Sequence, residues 1–169
     1  MKIATFILIF VPFFCFSICA ESNRTQDISH QIEGMYSDFE GEFPDVPAID
    51  AAKAKEFIKT QNSVLIDVRT SKEQEVSMIP GAITKDRFER NKGRYRKRKI
   101  VAYCTIGYRS GQFVAKLKKE GFEAYNLRGG ILAWINSGQF VVDHNGQTLR
   151  VHVYGKKWNL LPPTHEAIL

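Results

Sequence analysis

The most restrictive feature of the chain is a continuous apolar run, Val101-Ala102-Tyr103-Cys104, that passes through Thr105-Ile106-Gly107-Tyr108-Arg109 into a helical pattern from Ser110 to Glu120. A strand that is apolar along its whole length must be covered on both faces, as an inner strand of a parallel sheet is. Phe113, Val114 and Leu117 give the following helix one apolar side. The turn is therefore predicted to curl over a helix N-terminus, where unpaired backbone N–H groups and the positive end of the dipole favour negative charge. Gly107 supplies the backbone freedom that such a turn needs, and Arg109 puts a permanent cation beside it. Cys104 at the hinge is a candidate nucleophile, although a cysteine ending a buried strand is also commonly a small core hydrophobe.

The neighbouring segments repeat the alternation. Val46 to Ile49 reads as a first strand, Asp50 caps a helix running to about Thr60, and Val64 to Val68 is a second buried strand. The carboxyl end of that strand brings Asp67 and Arg69 toward Cys104, where they pair with each other or with Glu73 to brace the loop. After Gly121 closes the long helix, Phe122 to Leu127 is the next strand, and Arg128-Gly129-Gly130 turns into a helix from Ile131 to Asn136. This order predicts an α/β fold, a central parallel sheet with helices on both faces.

Cys104-x-x-Gly107-x-Arg109-Ser110 after an apolar strand resembles the active-site loop of single-domain rhodanese-like sulfurtransferases. Two further landmarks occur in the right order, Asp67-Val68-Arg69 with Ile79-Pro80-Gly81-Ala82, and Asn126 to Ile131 with Trp134. The resemblance implies a rhodanese-like domain over residues 46–140. It implies that Cys104 takes sulfur from a small anionic donor, holds it as a persulfide and passes it to a thiol acceptor, with no metal or organic cofactor. Thr105, Ile106, Gly107, Tyr108, Arg109 and Ser110 would form the substrate-binding loop, with Asp67 and Arg69 in support. Cys104 to Arg109 is six residues, the length associated with sulfur; the related phosphatases and arsenate reductases carry one more, because a tetrahedral oxyanion needs a wider ring of N–H donors. The chain departs from the family pattern at Met78, where histidine is frequent, and its neutral Thr105 and Ile106 replace the basic residues frequent in thiosulfate users. A non-enzymatic sulfur-carrier or partner-binding module is the competing reading.

Composition sets the surroundings. At 169 residues, 44% hydrophobic and 25% charged, the chain has the means for one well-filled core. Its formal charge of +6 is concentrated in 85–99, where nine basic residues stand against two acids. That segment reads as a solvated connection, or as a field for anionic donors or an acidic protein partner; without an aromatic platform it is not expected to bind nucleic acid. Residues 1–20 are Lys2 and an apolar run before Glu21, the pattern of a secretory leader or, if uncut, a membrane anchor. The chain is accordingly expected to be exported, with the periplasm as first choice. Cleavage would leave Cys104 as the lone thiol.

Both ends extend past the resemblance. Residues 21–45 hold Ile32, Met35, Tyr36 and Phe39 at helical spacing, and a helix over Asp27 to Phe39 is predicted to pack on the domain. Residues 141–169 open with Asn145-Gly146, a hairpin signal that sets Val142 opposite Leu149 and Phe140 opposite Val151. The following Gly155 to Pro163 reads as a strap burying Trp158, Leu160 and Leu161, and His144 and His152 fall on opposite faces, which argues against a metal site.

Overall fold

The computed structural model describes residues 15–60 and 62–169, with side chains from Arg24 onward. Five strands, β1 (Ala48–Ile49), β2 (Ser63–Asp67), β3 (Ile83–Thr84), β4 (Lys99–Tyr103) and β5 (Ala124–Leu127), form one parallel sheet in the order β1-β5-β4-β2-β3. Successive side chains of a strand face opposite sides, so β2 and β4 divide between two apolar clusters. Leu65, Val101 and Tyr103 face one, and Val64, Ile66, Ile100 and Ala102 face the other. The first is covered by α1 (Cys15–Glu40), α2 (Ala51–Lys59) and α6 (Gly130–Asn136), the second by α4 (Lys85–Arg90) and α5 (Tyr108–Lys119). The sheet with helices on both faces is thus as the sequence implied.

From β2 the chain goes outward to β3 through α3 (Ser71–Val76), and from β4 it goes outward the other way to β5. The carboxyl ends of β2 and β4 therefore flank a crevice of the kind in which open α/β sheets bind ligands. Cys104 lies there, directly after β4.

The N-terminal helix is longer than its apolar spacing suggested. Ile28, Ile32, Tyr36 and Phe39 bury against the domain, and Arg128 fastens the helix by pairing with Glu33 at 2.7 Å and with Glu40. The exported-leader reading concerns residues 1–20, of which 1–14 lie outside the described residues; among those described, no helix is long and apolar enough to cross a membrane.

The basic segment is folded rather than a plain connection. It contains α4, a 3₁₀ turn at Lys92–Tyr95 and the start of β4, and it is anchored by the fully buried Phe88, stacked on Tyr95 with ring centres 5.3 Å apart. Some of its charge is used internally: Lys92 pairs with Glu89 and Glu120, and Arg96 lies 4.4 Å from the Phe122 ring centre.

The predicted hairpin exists, but its register and its continuation differ. β6 (Val141–Asp143) pairs with β7 (Gly146–Thr148), setting Val142 opposite Gln147, so His144 and Asn145 form the turn. Asp143 Oδ1 accepts the Asn145 N–H at 2.7 Å, and Gly146, at φ +122°, takes the left-handed position that follows such a turn. Val151 does not face Phe140. It lies in β8 (Arg150–His152), which pairs in parallel with β9 (Glu166–Ile168), while Val142 bridges to Met78.

Candidate active site

The loop after β4 is held by its carbonyls. Ile131 and Leu132, in the first turn of α6, donate N–H bonds to Cys104 O at 2.9 Å and Thr105 O at 3.3 Å. Peptide planarity turns the Thr105 and Ile106 N–H groups away from α6. This close approach requires Gly130. A Cβ there would sit 2.5 to 2.7 Å from the Cys104 and Thr105 backbone, and its φ of +56° is one that side chains rarely adopt. From β5, buried Asn126 donates to Gly107 O at 2.9 Å and to the Tyr36 hydroxyl at 3.2 Å. Gly107 itself has φ +115°, and the Tyr36 ring occupies the space its Cβ would need.

This scaffold places Cys104 Sγ at the N-terminus of α5. The sulfur accepts the Gly107 N–H at 3.2 Å and the Ser110 hydroxyl at 3.6 Å, filling the role of a capping acceptor at a helix that has no side-chain cap. Cys104 is buried, yet it touches a cavity of about 440 Å³. Thr105 and Ile106 form the rest of the cavity floor. Tyr108 and Arg109 form one wall, and Phe39, Tyr154 and Trp158 form the others.

Arg109 holds the loop. Its guanidinium forks onto Glu73 with bonds of 2.8 and 2.6 Å and reaches Thr105 Oγ1 at 3.1 Å. Glu73 also receives the Thr70 N–H and hydroxyl in a capping box at the start of α3, and the Thr105 hydroxyl at 3.2 Å. Burial alone would push the Glu73 carboxyl up, but the bonds from Arg109 and Thr70 outweigh it and hold the pKa at about 2. Glu73 raises the pKa of Arg109 in turn.

The predicted residues thus fall into three groups. Cys104, Gly107 and Ser110 meet at the sulfur, while Thr105, Ile106, Tyr108 and Arg109 line the cavity. Asp67 and Arg69 do not line it. They form a fully buried pair at 2.7 Å that fixes the Ser77 carbonyl at 2.5 Å, bracing the turn that leads to Ile79. Met78, replacing the family's frequent histidine, exchanges backbone bonds with Val142. Sequence reasoning missed Asn126 and the double role of Glu73. It assigned Phe39 to packing and left open whether the strap that carries Trp158 reaches the rim of the site.

Residues 50–137 match the family model described as a rhodanese-like domain. A sulfurtransferase of Allochromatium vinosum is 36% identical over 91 residues, covering 52% of this chain and 85% of that protein. A tRNA uridine(34) hydroxylase of Rickettsia akari is 31% identical over 127 residues, 69% of this chain, and the chain spans about half (49%) of that relative's length. Among solved structures, a rhodanese-like domain from Anabaena sp. superposes with TM-score 0.51 at 25% identity, over 57% of this chain and 79% of that one. A thiosulfate sulfurtransferase from Pseudomonas aeruginosa gives 0.53 at 21%, over 60% of this chain and 20% of that one, a likeness of fold alone. With the matched segment carrying four of the five sheet strands, β2 to β5, and the Cys104 loop, this chain belongs to the rhodanese-like domain family.

Proposed function

We propose that the chain is a sulfurtransferase that moves sulfane sulfur through a persulfide on Cys104. The observation that supports this most directly is the setting of Sγ at the head of α5, bonded by the Gly107 N–H and the Ser110 hydroxyl and open to a cavity. In the first step the Cys104 thiolate attacks the outer sulfur of a donor. The donor's bond to that sulfur breaks, and its electron pair leaves with sulfite from thiosulfate or with a thiolate from an organic persulfide. The N–H groups of the loop and the dipole of α5 stabilise the charge on the new persulfide. In the second step an acceptor thiolate, or cyanide, removes the outer sulfur and restores Cys104. Arg109 is a positioning residue here, because its charge is met by Glu73.

The test is intact mass before and after donor, and again after cyanide. A gain of one sulfur, ~32 Da, that cyanide removes and Cys104→Ser abolishes is the expected result. Full transfer activity in Cys104→Ser would refute the mechanism. Clear turnover of an aryl phosphate would overturn the loop-length argument.

A further inference from the structure

The cavity above Cys104 has a floor and one wall, Tyr108 with Arg109, from the family segment, and its other walls come from outside it. Phe39 comes from α1, and Tyr154 and Trp158 come from the segment after β8, all three outside the matched residues 50–137. With Tyr108 they make a set of four aromatic rings. Phe39 meets Tyr108 edge to face with centres 5.3 Å apart, and Tyr154 meets Trp158 likewise at 6.4 Å. Tyr154 is 66% exposed, so its ring is accessible to a molecule entering the cavity.

The charge of the cavity points the same way. Arg109 is the one cation among the lining residues, its fork is closed on Glu73, and its face lies 5.4 Å from the Tyr154 ring centre. The wall's one cation is therefore already paired, so the second charge of an inorganic dianion is poorly compensated there, and such a charge is costly to desolvate against apolar groups. An organic body gains from the same surface by burial and by ring stacking. Lys157 is not among the lining residues; it lies 5.1 Å from the Trp158 ring centre.

We propose that the physiological donor is an organic sulfane compound of at most one negative charge. Its carbon body packs among Phe39, Tyr108, Tyr154 and Trp158 while its outer sulfur reaches Cys104. For an organic persulfide R–S–SH the step is attack by the Cys104 thiolate on the outer sulfur. A Cys104–S–SH bond forms, the R–S to sulfur bond breaks, and R–S⁻ leaves with the electron pair. The inference rests on the sulfur-transfer reading above.

Three donors with the same transferable sulfur but different bodies test it: thiosulfate, methanethiosulfonate and benzenethiosulfonate. In each, the bond between the oxidised sulfur and the outer sulfur breaks and sulfite or sulfinate leaves. Cyanide then converts the Cys104 persulfide to thiocyanate, which is measured. With each rate divided by that donor's uncatalysed rate with cyanide, kcat/KM is expected to rise from thiosulfate to methanethiosulfonate to benzenethiosulfonate, by at least ~10-fold overall. Tyr154→Ala and Trp158→Ala are expected to lower the value for benzenethiosulfonate ~10-fold and that for thiosulfate less than ~2-fold. The exposure of Tyr154 makes its truncation safe for folding. Thiosulfate equal to or better than the aryl donor, or an equal loss for both in the variants, would overturn the inference while leaving sulfur transfer standing. Absence of a persulfide with all three donors would sink the sulfur-transfer reading and this inference with it.

Discussion

Replacing Glu73 by glutamine tests the claim that the loop is held by charge. The side chain is 2% exposed and accepts bonds from Arg109, Thr70 and Thr105, whereas the amide of glutamine can accept at only one of its two ends. The pKa falls from an ordinary 4.5 to about 2, which at ~1.4 kcal/mol per pH unit corresponds to ~3 kcal/mol in favour of the ionised form at neutral pH. Arg109 is 30% exposed and can turn to water once its partner is lost, so ~2 kcal/mol is the net destabilisation expected. That is ~4 to 8 °C in Tm for a domain of this size.

The pH dependence gives this prediction its sign. The folded pKa lies below the unfolded one, so the contribution is complete above the unfolded value of 4.5 and disappears as pH falls toward about 2. Urea unfolding of both proteins at pH 7 and pH 3 is the assay. The wild type should be the more stable at pH 7, and the gap should shrink at pH 3, because glutamine has no proton to gain. An unchanged gap at the two pH values would show that the fork onto Arg109 is geometric decoration, and the assignment of Arg109 to loop positioning would fail with it.

Gly130→Ala should displace the loop, since the atoms its Cβ would meet are backbone and cannot swing aside. Persulfide loading of Cys104 is expected to drop more than ~10-fold, with ~2 kcal/mol or more lost from the urea midpoint, and full loading would show that the α6 contact does not shape the site. His152 is buried on β8, and that burial lowers its pKa below the ordinary 6.5. Its NMR titration should fall below that value, and because the unfolded chain takes the proton first, stability should begin to decline as pH drops below about 6.5; a titration at or above 6.5 would contradict the buried placement.

What the sequence disclosed and what it hid divide by range. β2, β4 and α5 were legible because continuous apolar runs and a 3.6-residue stripe act within a few neighbours. Thr70 and Glu73 form a capping box that the reading of the sequence passed over, and the second partner of Glu73 is Arg109, which no local pattern connects to it. The hairpin failed in the same way. Asn145-Gly146 marks the turn, but the two-residue shift places Gly146 after it, and the pairing of β8 with β9 spans a segment with no periodic signal. Phe39 and Trp158 have spacings that suit burial, and both are partly so used; that they also face Cys104 depends on two chain extensions meeting over one loop.

The same geometry decides what the basic segment can do for the reaction. Arg94, Arg96, Lys97 and Arg98 precede β4 while Cys104 follows it, so five strand residues separate them, about 17 Å at ~3.3 Å each. That exceeds the ~8 Å over which an exposed charge acts at physiological ionic strength. Arg109, the cation that does line the site, is already balanced by Glu73. The cluster before β4 should therefore contribute little to donor capture, and the loop can stabilise one charge on sulfur with neutral N–H dipoles. Raising salt from ~0.05 to ~0.3 M is expected to change kcat/KM for a singly charged organic donor by less than ~2-fold. A fall of ~10-fold or more would restore steering by residues 85–99 as part of the catalytic design.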